Sequence, residues 1–196
     1  MVQLAKHPKK PLGNNGAGNV SQQFIKDLEP IIKKHGLENE DGCKEAIEWV
    51  KNNDPKGYHE LAIGLWTYGN LDSEEEKALF AATKKAVDDG AEEAQFCHGS
   101  LLFLGIGENQ DIEKGLYIMN MAFLKLFSKA FVQHPLGSIK SEGLYAIFMA
   151  NQRGLASAIK STTKEEQIKE YQNLVTLYSY IILMLQNAIS FKAIKL

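Results

Sequence analysis

The fold is decided by two consecutive stretches that read as copies of one another. The first is GYHELAIGLWTYGNLDSEEEKALFAATKKAVDDG (Gly57–Gly90), and the second is AEEAQFCHGSLLFLGIGENQDIEKGLYIMNMA (Ala91–Ala122). Gly64 of the first copy corresponds to Gly99 of the second, an offset of 35 residues that drifts to 37 further along. This period is typical of helix–turn–helix repeats, which stack side by side into solenoids.

The rest of the chain also has helical periodicity, and no segment alternates as a strand would. We therefore predict an all-α fold, a short α-solenoid of antiparallel helix pairs with divergent terminal helices. The predicted parts are a flexible N-terminal arm (1–20) and a single helical repeat domain (21–196). Within that domain we place a degenerate unit at 43–54, clear repeats at 57–90 and 91–122, and capping helices at 137–196.

Capping signals predict where the helices begin and end. Starts are expected at Ser21, at Asp54-Pro55, at the capping box Ser73–Glu76, at Asp111 and at Thr163–Glu166, and ends at Gly69, Gly90 and Gly105. Breaks are expected at Pro30 and at 135–137. Gly64 and Gly99 fall in mid-helix, where glycine costs up to about 1 kcal/mol relative to alanine. We expect a neighbouring helix to approach closely at both.

The repeat resembles the Sel1-like family, relatives of the tetratricopeptide repeat, over residues 43–122. The second copy carries the resemblance at Gly90–Gln95, Gly99, Gly105, Gly107, Asp111 and Lys114-Gly115, and the first at Ile63-Gly64, Gly69, Lys77-Ala78, Ala86 and Gly90. Copy one departs from the pattern at Thr67 and copy two at Leu102, where an aromatic is expected.

The resemblance implies a non-enzymatic protein that binds a dedicated protein partner along the first helix of each unit. The residues expected to bind the partner are His59, Glu60, Trp66, Tyr68, Gln95, His98 and Phe103, with Trp66 and Tyr68 as the main aromatic anchors. Sel1-like repeats also occur among bacterial immunity proteins that neutralise toxic effectors, and a small chain suits one such partner. A scaffold or adaptor, or an oligomeric structural subunit, remains the alternative.

An apolar stripe runs along the last helix at alternating spacings of three and four. Its members are Ile168, Tyr171, Val175, Tyr178, Ile182, Leu185 and Ile189. The stripe packs either on the preceding helix, which we favour, or on a second copy of the chain as a homodimer.

Candidate catalytic and metal-binding patterns are incomplete. His59-Glu60 begins a zinc-peptidase motif, but Ile63 stands where the second histidine is required. Neighbours on a helix point about 100° apart, so Cys97 and His98 cannot easily share a metal. We expect no enzyme activity, no metal and no cofactor, and two buried thiols rather than a disulfide between Cys43 and Cys97.

Composition narrows the class of partner. Only one of the 22 basic residues is an arginine, Arg153, which argues against sequence-specific nucleic-acid binding. Charge is uneven: residues 1–124 hold 13 lysines and 20 acidic residues, while residues 125–196 hold 9 basic and 4 acidic residues. The first twenty residues lack the apolar run of a signal peptide, and 174–185 is too short and polar to span a bilayer. We expect a cytoplasmic protein, or a periplasmic one if a signal peptide has been removed.

Overall fold

The computed structural model describes residues 17–133, 141–160 and 163–194, and these confirm the all-α prediction. The described part contains no strand. Its helices are α1 (Ala17–Lys34), α2 (Asp41–Lys51), α3 (Pro55–Gly69), α4 (Ser73–Asp88), α5 (Gln95–Leu104), α6 (Ile112–Gln133), α7 (Ser141–Lys160) and α8 (Lys164–Ile194). Short 3₁₀ turns, Leu37–Asn39 and Glu92–Ala94, precede α2 and α5.

Most of these helices begin where the capping signals predict, because a side chain there accepts hydrogen bonds from the first backbone N–H groups. The Asp54 carboxylate accepts from the backbone N–H of Lys56 at 3.0 Å, with Pro55 as the first helical residue of α3. Asp111 likewise accepts from the backbone N–H of Lys114 before α6. At α4 the prediction is wrong by one residue, because the cap is Asp72 and the capping box pairs it with Glu75 rather than joining Ser73 to Glu76.

Residues in the left-handed backbone conformation follow the ends of these helices. They lie where the glycine positions predict, with one exception. Gly90 has φ 100° after α4, and Gly105 has φ 74° after α5. At α3 the left-handed residue is Asn70, with φ 48°, and Gly69 itself stays helical. Asparagine adopts this conformation more readily than most non-glycine residues, because its short polar side chain can hydrogen-bond locally.

The N-terminal helix is longer than predicted. It begins at Ala17, so the last four residues of the expected arm belong to α1, and Pro30 lies inside it without ending it. Pro30 is exposed, so its ring lies on the solvent side of α1. Residues 1–16 of the expected arm and the break expected at 135–137 lie outside the described residues.

The helices pack as neighbouring pairs, α2 with α3, α5 with α6, and α7 with α8, while α1 packs along α4. Helix α5 lies at the centre, and its side chains divide between two hydrophobic clusters. Cys97 and Leu101 join the cluster formed by α1–α4. Phe96 and Phe103 join the cluster formed with α6, α7 and α8. One helix therefore connects both halves of the core.

The helix pairs of the two predicted repeats pack differently, and α6 continues to Gln133, past the predicted end of the second repeat at Ala122. In the second repeat α5 and α6 are in intimate contact, and a Cβ on Gly99 would lie 2.9 Å from the carbonyl oxygen of Gly115. In the first repeat α3 packs mainly against α2 and contacts α4 only lightly. A Cβ on Gly64 would meet nothing within 4 Å, so the close approach expected there is absent. Among the described residues, no helix combines the length and apolar character needed to cross a membrane.

Candidate functional site

The structure buries three of the seven residues expected to bind a partner. Phe103 is 1% exposed, and the side chains of His59 and His98 are also buried. These three side chains therefore lie mainly in the interior, where little of their surface is open to a partner, although His98 also borders a pocket. Gln95 is half-buried, and its side-chain oxygen is enclosed without a hydrogen-bond partner among the described residues.

The chain's own last helix packs on α5, and among the residues expected to bind a partner it covers Phe103. Phe96 stacks on Tyr178 of α8 with ring centroids 3.8 Å apart and planes 10° from parallel. Phe103 stacks on Tyr171 of α8 at 5.7 Å. On the other side of Phe96, the ring of His59 meets it edge-on at 5.4 Å. This run of rings joins α3, α5 and α8.

The apolar stripe of α8 is core over its first half, as we favoured. Tyr171, Tyr178 and Ile182 are buried, and Ile168 is 38% exposed at the edge. Val175 is half-buried against the hydrophobic cluster that α5 forms with α6, α7 and α8. The stripe packs on α7, as expected, and also on α6 and α3. The side chains of Leu185 and Ile189 lie outside those that the structure describes.

His98 lies between α4 and α5, where its ring contacts side chains of α4. Its ring packs against Phe80 at 4.8 Å, and its Nδ1 lies 3.4 Å from the hydroxyl oxygen of Thr83. That hydroxyl donates to the carbonyl of Phe80 at 2.8 Å, so its proton is already engaged. Burial lowers the pKa of His98, and the nearby Lys84 contributes in the same direction. Thr83 is fully buried, whereas His98 also borders the pocket between α4, α5 and the turn leading to α6.

The burial of His59 makes a pH-dependent contribution to stability. Burial lowers the pKa of His59 to about 4, against about 6.5 for an exposed histidine. The unfolded chain therefore binds this proton at a higher pH than the folded chain, and stability falls as the pH drops below about 6.5. We expect a loss of about 2 kcal/mol between pH 7.5 and pH 5 from this residue alone.

Urea unfolding at the two pH values measures this loss, and His59→Gln, which does not titrate, is the control. The variant should lose less stability over the same interval than the natural chain does. Equal losses in both proteins would contradict the assignment to His59.

Two of the remaining expected residues, Glu60 and Tyr68, are exposed and line one cleft between α2 and α3. We call it the α2–α3 cleft. It encloses about 700 Å³ and is lined by Leu37, Glu40, Gly42, Cys43, Glu45, Trp49, Glu60, Leu61, Gly64, Leu65 and Tyr68. Tyr68 is 80% exposed at its edge. Trp66, 36% exposed, lies outside this lining, and its indole N–H donates to Glu76 of α4 at 3.1 Å.

The cleft exists because of the packing of the first repeat. Helix α4 turns away to pack on α1, where Lys34 pairs with Asp72 and Lys85 pairs with Asp27. Nothing therefore fills the space above Gly64, and the absence of a side chain there keeps the middle of the cleft open. In the second repeat the corresponding space is filled by α6.

The electrostatic character of the cleft is acidic. Glu40, Glu45 and Glu60 contribute the charged part of the lining, and no lysine, arginine or histidine is part of it. Cys43, a free cysteine, is half-buried there. Burial raises the pKa of its thiol, and the nearby Glu38 carboxylate adds to the rise. The thiol is therefore protonated at neutral pH and is a weak nucleophile.

A second, smaller pocket of about 620 Å³ lies between α4, α5 and the turn leading to α6. Its charged lining is mixed, with Lys84 and Lys114 facing Glu108, Asp111 and Glu113. Because positive and negative side chains share this pocket, it does not favour a ligand of either charge. Within the described residues, no group of three or more histidine, cysteine or acidic side chains is arranged to hold a metal ion.

Sequence reasoning missed the α2 side of the cleft. Leu37, Glu40, Glu45 and Trp49 line it, although none was expected to contact a partner. Trp49 and the apolar face of α2 could have indicated a binding surface. That face was instead interpreted as part of a degenerate repeat unit. The acidic residues on the same helix carried no signal that separates them from an ordinary solvated surface.

Comparison of the chain with known proteins found no similar protein. No family model, no curated protein and no solved structure matches the chain.

Proposed function

We propose that this protein is a non-enzymatic binding protein whose dedicated protein partner docks in the α2–α3 cleft. The observation that carries the proposal is the placement of Glu60 and Tyr68. Both were expected to contact a partner, and both lie at the surface beside an open, mainly apolar depression. Pockets of about 300–1,000 Å³ are a common size for ligand sites, and this one could hold one or two anchoring side chains of a partner.

The chemistry of the two pockets supports binding rather than catalysis. The cleft holds a protonated thiol in Cys43 and no histidine that could act as its base. In the second pocket His98 faces a hydroxyl that is buried and already donates to a carbonyl. Neither arrangement supplies an activated nucleophile.

The kind of partner is suggested by the resemblance to Sel1-like repeats and by the size of the chain. We propose a toxic effector protein, which would make this an immunity protein of a bacterium. The alternative of a homodimer through the α8 stripe has less support, because Tyr171, Tyr178 and Ile182 already pack inside the chain. A scaffold with a long groove also has less support, because α8 covers the α5 face.

Removing the aromatic side chain at the edge of the cleft, or filling the middle of the cleft, is expected to weaken partner binding strongly. Tyr68→Ala removes the exposed aromatic anchor, and Gly64→Leu places a side chain at a position where a Cβ meets no atom within 4 Å. Aromatic anchors at interfaces commonly contribute 2 kcal/mol or more, so recovery of the partner should fall by about tenfold or more. The measurement is affinity capture from the native cell lysate with quantitative mass spectrometry.

The matched control is Tyr117→Ala, which removes a tyrosine that is 65% exposed on α6, away from the cleft. This variant should recover the partner as the natural chain does. A partner that both cleft variants retain would rule out the cleft as its site. Activity of the captured partner as a toxin, neutralised by the natural chain alone, would support the immunity role.

A further inference from the structure

We propose that the α2–α3 cleft selects a basic segment of its partner, in which lysine or arginine side chains flank an apolar residue. This inference rests on the proposed function, because it specifies the chemistry of the partner at the same cleft. Two features of the lining carry it, an apolar floor and a rim of carboxylates that have no cation of their own.

The floor provides the apolar half of the recognition. Leu37, Leu61 and Leu65 lie together in it, with Trp49 on the α2 side. Leu61 and Leu65 are buried in the chain's own core, so the floor is held by packing and does not depend on a partner for its shape. An apolar side chain of the partner that enters above Gly64 would move from water onto this apolar surface. The favourable free energy of that transfer is proportional to the apolar area that is buried.

The rim provides the charged half. Other exposed carboxylates on α2 and α4 are paired within the chain, as Glu48 is with Lys51 and Glu74 is with Lys77. Glu40, Glu45 and Glu60 form no ion pair with any cationic side chain among the described residues. Three uncompensated negative charges around one depression attract a cation and repel an acidic or phosphorylated segment.

The nearby lysines are occupied elsewhere and do not neutralise this rim. The ammonium group of Lys44 donates to the carbonyl of Asn39 at 2.7 Å and pairs with Asp41 at 3.5 Å. Lys56 lies with its nitrogen 4.0 Å from the centroid of the Trp49 ring.

Together the two halves define the occupant. Its apolar residue lies over Gly64, and its basic residues reach Glu60 on the α3 side and Glu40 and Glu45 on the α2 side. A purely apolar segment would leave the carboxylates unpaired beside it, and an acidic segment would be repelled. The net negative charge of residues 1–124 acts at longer range in the same direction and would speed the encounter.

The test uses fluorescence anisotropy with the full chain and two labelled peptides. One has the sequence KLLKKLLKKLLK, and the other has glutamate in place of every lysine. The lysine peptide should bind, more weakly in about 0.5 M sodium chloride, whereas the glutamate peptide should not. The variant Glu40→Gln/Glu45→Gln/Glu60→Gln should bind the lysine peptide about tenfold more weakly, since each lost pair contributes a factor of a few.

A second triple variant separates the cleft from the general charge of the surface. Asp89→Asn/Glu113→Gln/Glu165→Gln removes the same number of charges from exposed positions away from the cleft. It should bind the lysine peptide within about twofold of the natural chain. Equal weakening in both triple variants, or equal binding of the two peptides, would overturn the proposal.

Failure of this inference and failure of the proposed function give different results. If the captured partner is lost in Gly64→Leu but retained in the triple glutamine variant, the cleft binds the partner and the basic specificity is wrong. If Gly64→Leu changes neither the captured partner nor the lysine peptide, the cleft is not a binding site and both proposals fall.

Discussion

Gly99→Ala is expected to lower the free energy of unfolding by about 2 kcal/mol, whereas Gly64→Ala is expected to raise it by about 0.5–1 kcal/mol. The two glycines occupy equivalent positions in the repeat. At position 99 a Cβ would lie 2.9 Å from the carbonyl oxygen of Gly115 and 3.0 Å from the backbone nitrogen of Met119. Backbone atoms cannot rotate away, so α5 and α6 would have to separate.

At position 64 the same methyl group meets no atom within 4 Å. There, alanine only reduces the conformational entropy of the unfolded chain and improves helix propensity. Urea unfolding of both variants, with the m-value checked for two-state behaviour, measures the two changes. Destabilisation by Gly64→Ala comparable to that by Gly99→Ala would show that a helix packs over Gly64 and that the α2–α3 cleft is closed.

Phe96→Ala is expected to lower the free energy of unfolding by about 3–5 kcal/mol and to release α8 from the centre of the molecule. The Phe96 ring is buried between His59 of α3 and Tyr178 of α8. It therefore supports the contact of the last helix with both halves of the core. Removing it leaves a cavity at the point where three helices meet.

Two measurements together test this role of Phe96. Urea unfolding gives the loss of stability, and amide hydrogen exchange along α8 reports whether that helix opens before the rest. Tyr180→Ala is the matched control, because Tyr180 lies on the same helix but is 56% exposed, and it should change both readouts little. Unchanged protection of α8 in Phe96→Ala would contradict the role given to the ring contacts.

Most helix boundaries could be predicted from the sequence, because capping involves residues only a few positions apart. Asp54 with Pro55, and Gly105 after α5, lie where their residue types indicate. The errors are also local. Asp72 acts as the cap in place of Ser73, since both can accept from the first free N–H groups of the helix and residue type alone does not choose between them.

The candidate site was less predictable, because exposure depends on which helices become neighbours. Glu60 and Tyr68 were identified by their place on the first helix of a repeat, and they do lie at the surface. His59, His98 and Phe103 share that place in the repeat pattern and are buried. Repeat position cannot distinguish the two groups, because burial depends on which helix packs at each point. Tyr171 of α8 stacks on Phe103, whereas Phe80 and Thr83 of α4 contact His98.

The sequence by itself determined that the chain is helical and where most of its helices begin and end. These properties rest on hydrogen bonds and periodicities within a few turns. Only the tertiary structure decided that α4 packs on α1 and that α8 covers α5, leaving open space above Gly64 and none above Gly99. Such choices depend on the free energy of burying whole helix faces that are far apart in the chain, and no local pattern encodes it.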